Sequence, residues 1–187
     1  MSPDETFKPL GIISILFAWI VIGILLFKFK GHKGMSISQH AAAFHGSYLM
    51  MAVMESLALP VFSLFMVKWF APTWDLPNFF MIGMVVAAAG ILIAGWIPDT
   101  AGWQRITHRI LAYGSYLLFI PLGFTFYVLA DIPLVARIAW LVALGYMIWC
   151  LVFFLFKRKT AYKYHLYLQA PYLGLFHLAI LTSTYLR

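Results

Sequence analysis

Leu10-Gly-Ile-Ile-Ser-Ile-Leu-Phe-Ala-Trp-Ile-Val-Ile-Gly-Ile-Leu-Leu-Phe27 is a run of 18 residues without a charge. As a helix rising about 1.5 Å per residue it covers about 27 Å, close to the roughly 30 Å of a bilayer's hydrocarbon core. Lipid offers the backbone no hydrogen bonds, so such a run must satisfy its own N–H and C=O groups and is read as a helix. The leader before it carries Asp4 and Glu5, where a secretory signal is basic. The run is therefore expected to span the membrane rather than to be cleaved.

Five more runs of this kind follow, at 43–67, 78–97, 108–129, 134–156 and 165–186. The chain is 64% hydrophobic and 10% charged, against about 25% charged in a soluble domain. No water-soluble core of 187 residues hides that much apolar surface. The expected fold is all-α: a polytopic membrane protein with six transmembrane helices in three hairpins, forming one domain over residues 1–187. Alternating strand patterns are absent, which argues against a barrel. A single cysteine, Cys150, excludes an internal disulfide and reads as a small core residue.

The net charge of +7 is placed unevenly. Lys28, Lys30, Lys33, Arg105, Arg109, Lys157, Arg158, Lys159 and Lys163 flank the ends of the first, third and fifth runs. Lys8, Lys68, Arg137 and Arg187 on the other side are balanced by Asp4, Glu5, Asp75 and Asp131. The positive-inside rule then makes the basic loops cytoplasmic and puts both termini outside. A plasma membrane of prokaryotic type is the expected location. The basic excess is an orientation signal with affinity for anionic headgroups, so no nucleic-acid partner is expected.

Five of the six histidines share that basic side: His32, His40, His45, His108 and His165. The even-numbered runs each open on histidine and carry an internal proline, Pro60, Pro121 or Pro171. Gly46-Ser-Tyr-Leu49 and Gly114-Ser-Tyr-Leu117 each begin six residues after a histidine, a local echo between the second and fourth runs. Such echoes occur in transport folds, and small residues also simply let helices approach.

An ionisable group at membrane depth is a functional hypothesis by default. Glu55 is the main one, roughly 15 Å deeper than His45, and is the candidate proton site. Tyr48 shares its helical stripe. On the sixth run Gln169 and Tyr172 share a face with His165, while the deeper His177 reads as an interhelical hydrogen-bond partner. Asp99 suits a turn or cap or a site with the histidines. The expected ligand-binding set is His40, His45, His108, His165, Asp99, Tyr48 and Gln169.

That set is compatible with several chemistries. His45, His108 and His165 would suit a borderline metal ion, although His40 and His45 lie too far apart around one helix to share it. Paired histidines on facing helices would suit haem b. Histidines beside Arg105, Arg109 and Lys163, at helix N-termini, would suit an anionic lipid headgroup or a small anion. A retinal Schiff base is excluded, since no lysine lies inside a run.

Met35-Ser-Ile-Ser-Gln-His-Ala-Ala42, together with Gly95-Trp-Ile-Pro-Asp99 followed by His108, resembles a bacterial membrane family known as domain of unknown function 998. That family is distantly similar to the DRAM and Sfk groups. The resemblance implies a six-helix bundle and carries over no catalytic residue. The leading functional expectation is a membrane binding or transport-like protein with a cytoplasm-facing, histidine-rich polar cavity. The alternatives are a metal- or haem-dependent membrane enzyme using the same residues, and an accessory subunit of a larger membrane complex. The expected partners are membrane lipid and either further copies of the chain, as a homo-oligomer, or the other subunits of a larger membrane complex.

Overall fold

The structure is a computed structural model that describes residues 2–29 and 34–186. His32, Lys30, Lys33 and Arg187 lie outside the described residues. Every regular element within them is helical. A 3-10 turn, Glu5–Phe7, leads into α1 (Lys8–Lys28), followed by the short α2 (Ile37–Ala42) and by α3 (His45–Phe65). A π-helical stretch, Met66–Phe70, carries α3 into its last turn, α4 (Ala71–Thr73). Then come α5 (Asn78–Gly95), α6 (Gly102–Leu129), α7 (Leu134–Phe156), α8 (Arg158–Lys163) and α9 (His165–Tyr185).

Five helices are long and apolar enough to cross a membrane: Glu5–Lys28, His45–Thr73, Asn78–Gly95, Gly102–Leu129 and Leu134–Phe156. The sixth expected run does form a helix, α9, but is not among them. Its 21 residues are long enough. What separates it is polarity, because His165, Gln169, His177 and the Thr182–Thr184 stretch interrupt its apolar sequence.

Two expected starts also move. The second run, expected from 43, starts as α3 at His45, and a separate short helix, α2, ends at Ala42 just before it. Ser36 caps α2 in a reciprocal box, its hydroxyl accepting from the Gln39 amide at 3.2 Å and Gln39 Oε1 accepting from the Ser36 amide at 2.9 Å. The Ser47 hydroxyl donates to the Ala41 carbonyl at 2.7 Å across the break. Farther on, α6 starts at Gly102 rather than His108. Gly102 has φ +57°, a conformation open to glycine and strained for most other residues, and it lets the chain turn sharply out of the Asp99 loop. His108 consequently sits about 9 Å inside the helix. The Gly-Ser-Tyr-Leu echo therefore marks different depths, the first turn of α3 and the middle of α6.

Helices α1 and α3, α5 and α6, and α7 and α9 pack in pairs, α3 also packs on α5 and α6 on α7, and α1 returns to α9. The long helices thus enclose a common interior. Hydrophobic transfer gives little drive between helices in lipid, so close packing and hydrogen bonds hold them. Phe126 is fully buried, with ring centroids of Phe70, Trp74 and Trp140 at 4.9, 5.7 and 5.0 Å. Gly83 and Gly123 admit Leu122 and Trp140 so closely that a Cβ at either glycine would collide. Across the ring, Trp140 Nε1 donates to Ser183 Oγ at 2.9 Å. At one end Lys8 Nζ lies over the rings of Trp69 and Tyr185, and the Tyr185 hydroxyl donates to the Lys8 carbonyl at 3.2 Å. Ile20, Ile82, Ile110, Phe124 and Leu134 point outward.

The prolines follow the same logic. Pro171 has no N–H for the Tyr167 carbonyl, and the Tyr146 hydroxyl from α7 donates to that oxygen instead, at 3.4 Å.

Phe126→Ala removes the ring that joins the π-helical stretch, α5 and α7 through their aromatic contacts. The expected loss is about 3 kcal/mol, read as a markedly lower melting temperature in detergent. An unchanged melting temperature would mean that the aromatic cluster does not hold the bundle.

Candidate functional site

A cavity of about 110 Å³ lies between the helices. One ordered water needs only about 10–15 Å³ by the same measure, so there is room for several waters or a small organic molecule. One end is lined by Ser36, Ser38, Asp99, His108 and Arg109, and the interior by Glu55, Tyr116, Gln169 and His177 among apolar residues.

At the first end the Asp99 carboxylate is buried, its Oδ1 3.5 Å from Arg105 Nε and 3.4 Å from Arg109 Nε. The two arginines are one helical turn apart on α6, so both face the loop that carries Asp99. Neither separation gives Asp99 Oδ1 or Arg109 Nε a hydrogen bond. Arg105 also donates to the Thr100 carbonyl. Arg109 lies over the Tyr162 ring at 5.9 Å.

His108 is a structural tie. Its Nδ1 lies 2.9 Å from the Ala94 carbonyl and 2.7 Å from the Ile97 carbonyl. Two acceptors on one ring nitrogen require the proton there, which leaves Nε2 without it when the ring is neutral. The end of α5 is thereby capped by a side chain from α6. Tyr48 does similar work, its hydroxyl donating to the Trp96 carbonyl at 2.7 Å.

Gln169 joins three helices. Its Oε1 accepts from the Ile37 amide at 2.9 Å, at the start of α2, and its Nε2 donates to the Tyr116 hydroxyl at 3.2 Å. Tyr172 donates to the Tyr116 carbonyl at 2.6 Å. The short α2 is thus pinned beside the cavity by α9. Deeper still, His177 Nδ1 accepts from Trp19 Nε1 at 3.0 Å, the interhelical bond expected for it.

Glu55 is different. It is only 6% exposed, yet its Oε2 has no hydrogen-bond partner among the described residues. That oxygen presses on Gly95 of α5 so closely that any Cβ there would overlap it. Gly95 is therefore what allows a carboxyl group at this point.

Of the expected set, Glu55, Asp99, His108, Tyr48 and Gln169 line one cavity. The other three histidines lie elsewhere. His40 is buried, but its Nδ1 is 3.0 Å from the Ser36 carbonyl of its own helix. His45 is exposed at the first turn of α3. His165 is buried among the rings of Tyr113, Phe154 and Tyr162, centroids 5.3 to 6.2 Å away, with Nδ1 unpartnered among the described residues. No group of three His, Cys, Asp or Glu side chains among the described residues is placed to hold a metal ion, so His45, His108 and His165 do not form the expected triad. Sequence reading passed over Tyr116 and Gly95 as site residues. A 3.6-residue stripe through Ala112 and Phe119 would have flagged Tyr116. Nothing in the sequence says that Gly95 faces Glu55.

No protein-family model, no curated protein and no solved structure matches this chain.

The ion pairs predict an asymmetric mutational response. Asp99→Asn leaves Arg109, largely enclosed, without its counter-charge. A loss of about 3 kcal/mol is expected. Arg105→Gln removes a half-exposed partner and should cost under about 1 kcal/mol. Thermal melts of the two variants in detergent check this, and equal losses would contradict it.

Proposed function

We propose that the protein is a six-helix integral membrane protein that binds, and passes between the two membrane faces, a small molecule held in the central cavity. The observation that carries this reading is the cavity itself. It places Glu55, with an oxygen unpartnered among the described residues, among polar and apolar walls. Charged groups in the interior of a membrane protein are expensive and mark substrate or ion paths.

Topology adds support. The bond between Tyr185 and Lys8 brings the first and last long helices together at one end. Ends on one side imply an even number of crossings, which favours α9 as the sixth despite its polarity. The basic loops are then cytoplasmic, the termini outside and the membrane a prokaryotic plasma membrane. The mouth of the cavity is at the basic end. A shallow cleft outside it, lined by Gly34, Met35, Gln39, Thr100 and Arg105, shares Asp99 with the cavity. Arg105 there is suited to an anionic lipid headgroup or small anion. The resemblance to the domain of unknown function 998 family, read from the stretches at 35–42 and 95–99, would imply the same six helices.

Native mass spectrometry of the protein extracted in mild detergent tests the reading. Wild type is expected to retain a small-molecule mass that Ala112→Phe, which narrows the cavity, loses at an unchanged helical content. Identical adducts on both would refute it. In a Cys150→Ser background, Arg105→Cys should react with an impermeant maleimide only from the cytoplasmic side, and Asp131→Cys only from outside. The reverse pattern would invert the topology.

A further inference from the structure

The inference rests on the cavity-binding reading above and concerns what the cavity takes. Apart from histidines and tyrosines, three ionisable side chains line it: Glu55, Asp99 and Arg109. Asp99 and Arg109 face each other near the mouth, with Arg105 beside them. Glu55 makes no ion pair among the described residues. It is on α3 and ten residues, about 15 Å, from that helix's start. The deep end of the cavity therefore offers a carboxyl group and no cation of its own.

The surroundings restrict the complement. Met54, Met84, Phe62, Phe119 and Phe176 form much of the remaining wall. Aromatic rings attract ammonium groups, and thioethers adapt to irregular apolar shapes. An anion at this depth would meet the Glu55 carboxyl, and the Arg109 guanidinium is already beside Asp99. A purely apolar guest would leave Oε2 without a donor. An ammonium group supplies a donor for Oε2 and the counter-charge that lets a buried carboxyl ionise, and charge-assisted hydrogen bonds are about twice as strong as neutral ones. Size sets the upper limit. A cavity of about 150 Å³ holds benzene, so about 110 Å³ suits a guest smaller than a ring, a short alkyl chain with its nitrogen.

We propose that the cavity takes a small lipophilic amine in its ammonium form, with the nitrogen on Glu55 and the apolar part among the methionines and phenylalanines.

Three ligands of similar size separate the terms: propylamine, 1-propanol and propionate, titrated calorimetrically into the detergent-purified full chain. Propylamine is expected to bind at least tenfold more tightly than propanol, with propionate weakest. Glu55→Gln should bring propylamine down to the level of propanol and leave the alcohol unchanged. If propanol or propionate equals or exceeds propylamine in wild type, the amine assignment falls while the cavity reading stands. If none of the three binds, both fall. If Glu55→Gln does not fold, the wild-type ranking still decides. In addition, Ala112→Phe, which retains Glu55, must then abolish propylamine binding. Propylamine binding that survives Ala112→Phe would place the amine outside the cavity and overturn the proposal.

Discussion

Backbone groups left over at helix ends and prolines have no water to turn to inside a membrane, and the whole bundle is tied by the side chains that meet them. His108 caps the carbonyls of Ala94 and Ile97. Tyr48 takes the carbonyl of Trp96, Gln169 takes the amide of Ile37, and Tyr146 takes the carbonyl that Pro171 frees. Each of these bonds joins two elements, so satisfying the backbone and assembling the helices are one event. An unsatisfied buried group costs about 1–3 kcal/mol, comparable to a large packing defect. Most polar residues that line the cavity are therefore already committed, and what is left over is chemically specific.

The two buried carboxyl groups make that contrast plain. Asp99 lies between two guanidinium groups on consecutive turns of α6. Glu55 faces a glycine and the cavity. Both are acidic residues near the same group of helices, yet one is a fastening and the other an open valence. Burial alone does not distinguish them. The presence of a counter-charge does.

How far the sequence could be read depends on what each feature encodes. Apolar runs encode spanning helices directly, because length and hydropathy are local properties; α1, α5 and α7 follow from them. The start of α2 was also legible, since Ser36-x-x-Gln39 is a capping-box signature, and the Gly102 turn had a glycine to announce it. Histidine roles were not legible. His40 and His108 both bond backbone carbonyls, one in its own helix and the other in a neighbouring helix. His45, with the same side chain, is at the surface. A carbonyl has no residue identity, so no spacing rule could have found these partners. The polarity of α9 was visible in its residues, but its return to α1 is a matter of packing.

That return has a consequence for the order of the chain. With the Tyr185 hydroxyl on the Lys8 carbonyl, and α1 packed against both α3 and α9, the bundle is a ring in which the covalent start is an accident of numbering. Chains whose ends lie close together tolerate circular permutation. A short linker across the Lys8–Tyr185 seam, with a new opening at the Asp75 turn between α4 and α5, would keep every helix beside its present neighbours. Both new ends would emerge at the end of the bundle where Asp4 meets Lys68 and Tyr185 meets Lys8. The architecture is thus cyclic in contacts though linear in synthesis, and its first hairpin can be made last without altering the cavity it helps to enclose.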